Sequence, residues 1–176
     1  MELARKIEDA GADSIAIKDM AGLLKPYDAF DLVSNLKEKL SIPVHMQTHA
    51  TTGMSTATNM KAIEAGIDNI DTSISSMSMT YGHSATETLA AIFQDEEVEI
   101  DLDNEVLEEI SLFFKKIRKK YSEYEGDMKG VDSTMLVKQV PGGMLSNLES
   151  QLKANKQEDK IELVKEEIPK VRKDFG

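Results

Sequence analysis

Three short stretches carry side chains able to do chemistry. Lys18 ends the run Asp13-Ser14-Ile15-Ala16-Ile17-Lys18, His45 and His49 flank Gln47 in Val44-His45-Met46-Gln47-Thr48-His49, and Thr80-Tyr81-Gly82-His83 sets a hydroxyl, a phenol and an imidazole around a glycine. Imidazole serves as a base or as a ligand for ions such as Zn, Mn or Co. Spacing limits what they do together: a metal site needs three or four ligands, and on an extended strand His45 lies about 13 Å below His49, too far to share one ion. Plain alternatives stay open. A strand-end lysine commonly just leaves the core for solvent, and a strand histidine is often held by a structural hydrogen bond. Met77 and Met79 read as packing residues.

The elements that must position these groups alternate. Helices are predicted over 2–10, 26–39, 55–65 and from a capping box Ser84-Ala85-Thr86-Glu87 to Phe93. Strands are predicted over 13–18, 43–48 and 69–73, starting about 26–30 residues apart, as successive βα units require. Ala-Gly-x-Asp-x-Ile occurs at residues 10–15 and again at 65–70, each time marking a helix end, a glycine turn and a strand start. Side-chain alternation then aims Ser14, Ala16 and Lys18 to one face, His45, Gln47 and His49 to one face, and Asn69, Asp71 and Ser73 to one face, with Ile15, Ile17, Val44, Met46 and Ile70 opposite. A parallel α/β sheet follows, open or closed into a barrel. In a barrel the polar faces point inward, and Lys18, His49 and Ser73 fall at the C-terminal strand ends where barrel active sites lie.

Beyond Phe93 the composition shifts. Residues 94–103 form an acidic linker, and residues 104–125 a long helix with Val106, Leu107, Ile110, Phe113, Phe114 and Ile117 on one side. Pro141-Gly142-Gly143 breaks the chain, and helices follow over 144–155 and 158–175, the second interrupted by Pro169. The division is residues 1–93, part of a barrel, and 94–176, a helical annex. Three strands do not close an eight-stranded barrel, so the barrel is expected to be incomplete in this chain. Its strand edges are then expected to drive homo-oligomerisation.

Composition excludes several classes. The net charge of -11 disfavours nucleic acid, and the basic run Lys115-Lys116-Ile117-Arg118-Lys119-Lys120 reads as a solvated helix face. With no cysteine there is no disulfide framework or thiolate site. The lack of cysteine makes a reducing cytoplasm the expected location, no stretch approaches a membrane span, and the N-terminus reads as an amphipathic helix rather than a signal peptide.

Ile17-Lys18-Asp19-Met20-Ala21-Gly22-Leu23-Leu24-Lys25-Pro26 resembles the lysine motif of the biotin-dependent carboxyltransferases, a family that includes pyruvate carboxylase, transcarboxylase and the oxaloacetate decarboxylase alpha subunit. Residues 43–53, 63–78, 81–87 and 140–152 continue the resemblance in order, so it spans essentially the whole chain. The nearest look is to the decarboxylase alpha subunit, followed by the two-subunit pyruvate carboxylase. The resemblance implies the last three or so βα units of a TIM (β/α)8 barrel followed by a helical annex. It implies a divalent metal (Zn, Mn or Co) held by a carbamylated Lys18 and by the positions of Gln47 and His49. Glutamine stands there where the family has histidine. The remaining family ligand, an aspartate of the first barrel strand, is expected to lie outside this chain. Thr80 is the nearest candidate for the proton-relaying threonine, and Tyr81 and His83 are candidate substrate contacts. The implied reaction is decarboxylation of oxaloacetate to pyruvate by carboxyl transfer to biotin, or the reverse transfer. The implied partners are a biotin carrier domain and membrane decarboxylase subunits that export sodium. The alternative is an inactive remnant with a structural role.

Overall fold

The computed structural model describes residues 1–94, 101–126, 128, 130–133, 135–138 and 142–175. Among them the chain runs α1 (Glu2–Asp9), β1 (Ile15–Asp19), α2 (Pro26–Lys39), β2 (Val44–Thr48), α3 (Ser55–Glu64), β3 (Asn69–Ile70), α4 (Thr86–Phe93), α5 (Asn104–Lys120), α6 (Met135–Lys138), α7 (Gly142–Ala154) and α8 (Ile161–Phe175). The strands form one parallel sheet in the order β1-β2-β3, with Lys18 opposite Gln47 and His45 opposite Asn69. Pro26 opens α2 at its first turn, where a missing N–H costs nothing. Gly11 and Gly66 follow α1 and α3 with φ of +93° and +83°, the left-handed exit that both copies of the repeat predict.

The sheet has two unlike faces. Val44 and Met46 are fully buried with Ala4, Val33, Leu36 and Ala62, and Ile15, Ile17, Ile67 and Ile70 pack against them, so α1, α2 and α3 cover this side. On the other side Ala16, Lys18 and Asn69 are exposed and His45 and Gln47 half-buried. This is the predicted alternation of apolar and polar faces.

Several elements differ from expectation for identifiable reasons. The first strand begins at Ile15, leaving Ser14 outside it. The third strand ends at Ile70: Ser73 leaves β2 and bridges Ala85, its N–H donating to the Ser84 carbonyl (3.0 Å) and its carbonyl accepting from Thr86 N–H (2.8 Å). The capping box does not form. Ser84 Oγ is engaged by Ser55 Oγ (2.7 Å) and Thr56 Oγ1 (3.1 Å), the Glu87 carboxylate accepts from Ser75 N–H instead, and Ala85 takes the cap position. The helix expected over 104–125 ends at Lys120 and tightens into a 3-10 turn over Ser122–Tyr124. Of its apolar side only Leu107 is buried. Pro169 lies inside α8 without interrupting it. Ile168, directly before it, packs against Met135, and that burial offsets the lost backbone bond. Met77 and Met79 are 37 % and 39 % exposed rather than packed, since Met79 sits in a left-handed turn at the surface. Gly142 and Gly143 lie within α7. Most of the acidic linker, residues 95–100, and Val140 and Pro141 lie outside the described residues. No helix among the described residues is long and apolar enough to cross a membrane.

Met46→Ala removes a fully buried side chain between sheet and helices and is expected to destabilise the chain by about 2–5 kcal/mol in urea denaturation. A smaller change at Met46 than at exposed Met20 would contradict this placement of the core.

Candidate functional site

The site is built on two strand ends and the loops that leave them. Lys18, one residue from the end of β1, shares a sheet face with Gln47 across the ladder. His49 follows the last residue of β2, and its N–H donates to the Asp19 carbonyl (3.0 Å), prolonging the parallel pairing to the site's edge.

Asp19 orders the loop after Lys18. Its carboxylate accepts from Leu23 N–H (3.0 Å), Leu24 N–H (2.9 Å) and Thr48 Oγ1 (3.0 Å), tying the β1 loop to the end of β2. Within that loop Gly22 has φ +67°, a Cβ there would collide with the His49 carbonyl, and the Gly22 carbonyl accepts from Thr52 Oγ1. Only glycine meets both demands. The second loop closes from the other side. Ala50 N–H donates to the Gly82 carbonyl (2.8 Å), Gly82 N–H to the Met79 carbonyl (2.9 Å) and Met79 N–H to the His83 carbonyl (2.7 Å). Met79 and Thr80 carry φ of +65° and +54°, a strained conformation for a β-branched threonine.

His49 is the best-defined donor. Its Nδ1–H donates to the Tyr81 carbonyl (2.5 Å), which leaves Nε2 with its lone pair facing Gln47 Nε2 at 3.1 Å. Burial pushes the His49 imidazole below its ordinary value. The neighbouring His83 and Lys18 charges add to that, against the Tyr81 bond and Asp19, which raise it. The ring is thus held neutral, the form a metal needs. The His83 ring lies 5.1 Å away, tilted by 55°, with Nδ1–H donating to the Thr48 carbonyl (3.1 Å).

The structure brings Lys18, Gln47 and His49 together and sets His83 beside them. Tyr81 meets the site through its carbonyl, while its ring lies against Gly126. The Thr80 hydroxyl makes no hydrogen bond among the described residues. His45 stays apart, two register pairs lower, with Nε2 2.7 Å from an Asp71 oxygen, the structural bond left open above. Among the described residues no three or more His, Cys, Asp or Glu side chains are grouped to hold an ion. The donors nevertheless fit a divalent metal: a neutral imidazole with a fixed tautomer, an amide that presents Oε1 on rotation by half a turn, and a lysine that becomes an oxygen donor once carbamylated.

The annex reaches the same loops. Asp132 N–H donates to the Thr51 carbonyl (2.9 Å), and Met135, 2 % exposed, packs with Ala21, Leu23, Ile161 and Ile168. Arg118 Nε and Nη1 donate to Glu125 Oε1 (2.5 Å) and the Ser76 carbonyl (2.8 Å). These anchors, and the clamp at Asp19, were not singled out from sequence. For Asp19 the signal was present: an aspartate at a strand end followed by Gly22, a loop that needs its N–H groups satisfied.

A family model described as HMGL-like matches residues 1–113. The chain belongs to this family. A second model, described as a conserved carboxylase domain, matches residues 135–176. One of the subunits of the pyruvate carboxylase of Methanocaldococcus jannaschii is 46 % identical over 177 residues, covering 100 % of this chain and 31 % of that protein. The methylmalonyl-CoA carboxyltransferase 5S subunit of Propionibacterium freudenreichii subsp. shermanii is 45 % identical, covering 100 % and 35 %. The carboxyl transferase domain of Rhizobium etli pyruvate carboxylase with pyruvate superimposes with a TM-score of 0.90 at 34 % identity, over 95 % of this chain and 28 % of that one. This HMGL-like chain therefore shares the α/β fold of the carboxyltransferases and spans about a third of the length of those curated relatives.

His49 is expected to titrate below the ordinary imidazole value in an NMR pH titration. Because its folded pKa is depressed, folding releases a proton in the window between the folded and the ordinary value. Stability from this residue is thus full above the ordinary value and is lost as pH falls towards the folded one. His49→Asn should remove that part of the pH dependence. An unchanged stability slope in the variant would contradict the assignment.

Proposed function

We propose that this chain carries the lysine-and-histidine side of a biotin-dependent carboxyltransferase centre, moving a carboxyl group between a 2-keto acid and biotin. The observation that carries the reading is the convergence of Lys18, Gln47 and His49 Nε2 on one face at the strand ends, in a chain whose relatives carry carboxylase and carboxyltransferase names. Residues 1–93 supply barrel elements and residues 94–176 the flanking helical segment.

In this reading Lys18 is carbamylated and, with His49 and Gln47, holds a divalent ion. The ion supplies a Lewis acid for the keto-acid carbonyl. In the decarboxylating direction the bond between the carboxylate and C3 of oxaloacetate breaks, the carboxyl group passes to the biotin ureido nitrogen, and that nitrogen's proton ends on C3 of the pyruvate enolate. Thr80, strained at the mouth with its hydroxyl uncommitted, relays the proton. Tyr81 and His83 line the substrate's approach. The reverse direction uses the same groups, and the pyruvate carboxylase names among the relatives favour it. The partners are a biotin carrier domain and oxaloacetate or pyruvate, in the cytoplasm.

Two measurements test this without turnover. Incubation with 13C-bicarbonate should give a carbamate signal that Lys18→Ala abolishes. Calorimetric titration with Co2+ or Mn2+ should show binding lost in Lys18→Ala and His49→Ala, and strengthened roughly tenfold or more in Gln47→His, where imidazole replaces an amide oxygen. Metal binding indifferent to all three substitutions would sink the proposal.

A further inference from the structure

The loop that orients His49 is restrained from two sides. Its Tyr81 carbonyl accepts from His49 Nδ1–H (2.5 Å), so the placing of one peptide group decides which ring nitrogen keeps the lone pair and where it points. That peptide follows Met79 and Thr80, both left-handed, a conformation that persists only where the surroundings enforce it. On the strand side the restraint is Ala50 N–H, which donates to the Gly82 carbonyl (2.8 Å). On the other side it comes from the end of α5 and the residues that follow it.

Arg118 stands in the last turn of α5 (Asn104–Lys120) and uses two arms of its guanidinium. Nη1 donates to the Ser76 carbonyl (2.8 Å), ahead of the strained pair, and Nε donates to Glu125 Oε1 (2.5 Å). Glu125 is within reach because the 3-10 turn Ser122–Tyr124 folds the chain back on the helix end. The next residue, Gly126, meets the loop beyond the strained pair. A Cβ there would stand 3.1 Å from Tyr81 Cε2, and Gly126 has no left-handed φ, so it is the ring that demands the missing side chain. Ser76 and Tyr81 are thus gripped on either side of Met79 and Thr80, and Glu125 joins the two grips. Ser76 Oγ is buried, so water is a poor substitute for the Arg118 donor.

We infer that Arg118 and Gly126 are positioning residues for His49, through a brace over residues 118–126 that sets the Tyr81 carbonyl and with it the direction in which His49 presents Nε2. Both act through the loop rather than on the ring. The role needs arginine rather than positive charge, because one planar fork serves a carbonyl and a carboxylate at once, which a lysine ammonium does not hold in this geometry. The effect on the ring stands on these contacts alone. Its consequence for an ion rests on the carboxyltransferase reading above, where an outer partner of a ligating imidazole is worth roughly ten- to a hundredfold in affinity.

15N spectra of the histidine side chains read this directly, and the signals of His49 are those lost in His49→Asn. Above the ordinary imidazole value the unaltered chain should show one neutral tautomer, with the proton on Nδ1. Arg118→Met keeps the stem, drops the fork and should let the other tautomer appear, with Co2+ binding in calorimetry weakened about tenfold. Arg118→Lys should behave the same way, while Lys119→Met, which removes a charge from an exposed neighbour, should change neither. Gly126→Ala should displace the His49 signals in the unaltered chain and leave them alone in Tyr81→Ala, which keeps the carbonyl and removes the ring. A His49 tautomer indifferent to Arg118→Met and Gly126→Ala overturns the proposal, as does an Arg118→Lys chain that matches the unaltered one, or a Gly126→Ala effect that survives loss of the ring. If the unaltered chain binds no Co2+, the metal reading fails and the ring signals still decide the role of Arg118 and Gly126.

Discussion

The Asp19 carboxylate is the constraint on which the site depends. It touches the loop leaving β1 and the end of β2 at once, through Leu23, Leu24 and Thr48. Without those bonds, two backbone donors beside a half-buried strand end would need water, and the loop after Lys18 would be free to move off the end of β2. With them, the register of the ladder fixes how far apart the reactive groups stand. Gly22 then draws the loop onto the His49 carbonyl, and His49 is in turn held by Tyr81. One aspartate thus sets off a chain of placements ending at the ring nitrogen that faces the site.

The two faces of the sheet divide the energetics from the chemistry. Val44 and Met46 hold the strands to the helices by apolar burial, which asks for no particular geometry at the polar face. Lys18, Gln47, His45 and Asp71 are therefore free to be chosen for chemistry or hydrogen bonding. The cost is confined to a short list. His49 is disfavoured as a cation, Thr80 adopts a left-handed backbone, and the Gly82 turn has little tolerance for change.

Much of this was legible in the sequence because period two is a robust signal. It put Lys18 on the polar face of its strand and Gln47 and His49 on the polar face of theirs, and turned Ile15, Ile17, Val44 and Met46 the other way, as the structure has them; the register that sets Lys18 opposite Gln47 was not read. The glycines at 11 and 66 marked helix exits correctly, since φ beyond zero leaves few other residues possible. What could not be read was tertiary competition. Ser84 has the sequence of a cap, but its hydroxyl is taken by Ser55, a residue 29 positions away. Pro169 has the sequence of a break, but the burial of Ile168 carries the helix through. The apolar side of α5 was legible as a stripe and is mostly exposed, because periodicity marks an amphipathic helix without saying what covers it.

Met135 gives the annex a share in the site it does not line. Wedged under Ala21 and Leu23 and backed by Ile161 and Ile168, it makes the Lys18 loop the outer wall of a small core belonging to the C-terminal helices. The stiffness of that loop is then partly a property of α8. Variation far along the chain reaches the lysine as a change in compliance rather than in contacts, so the annex is a place where reactivity can be tuned while every group that touches the chemistry stays the same.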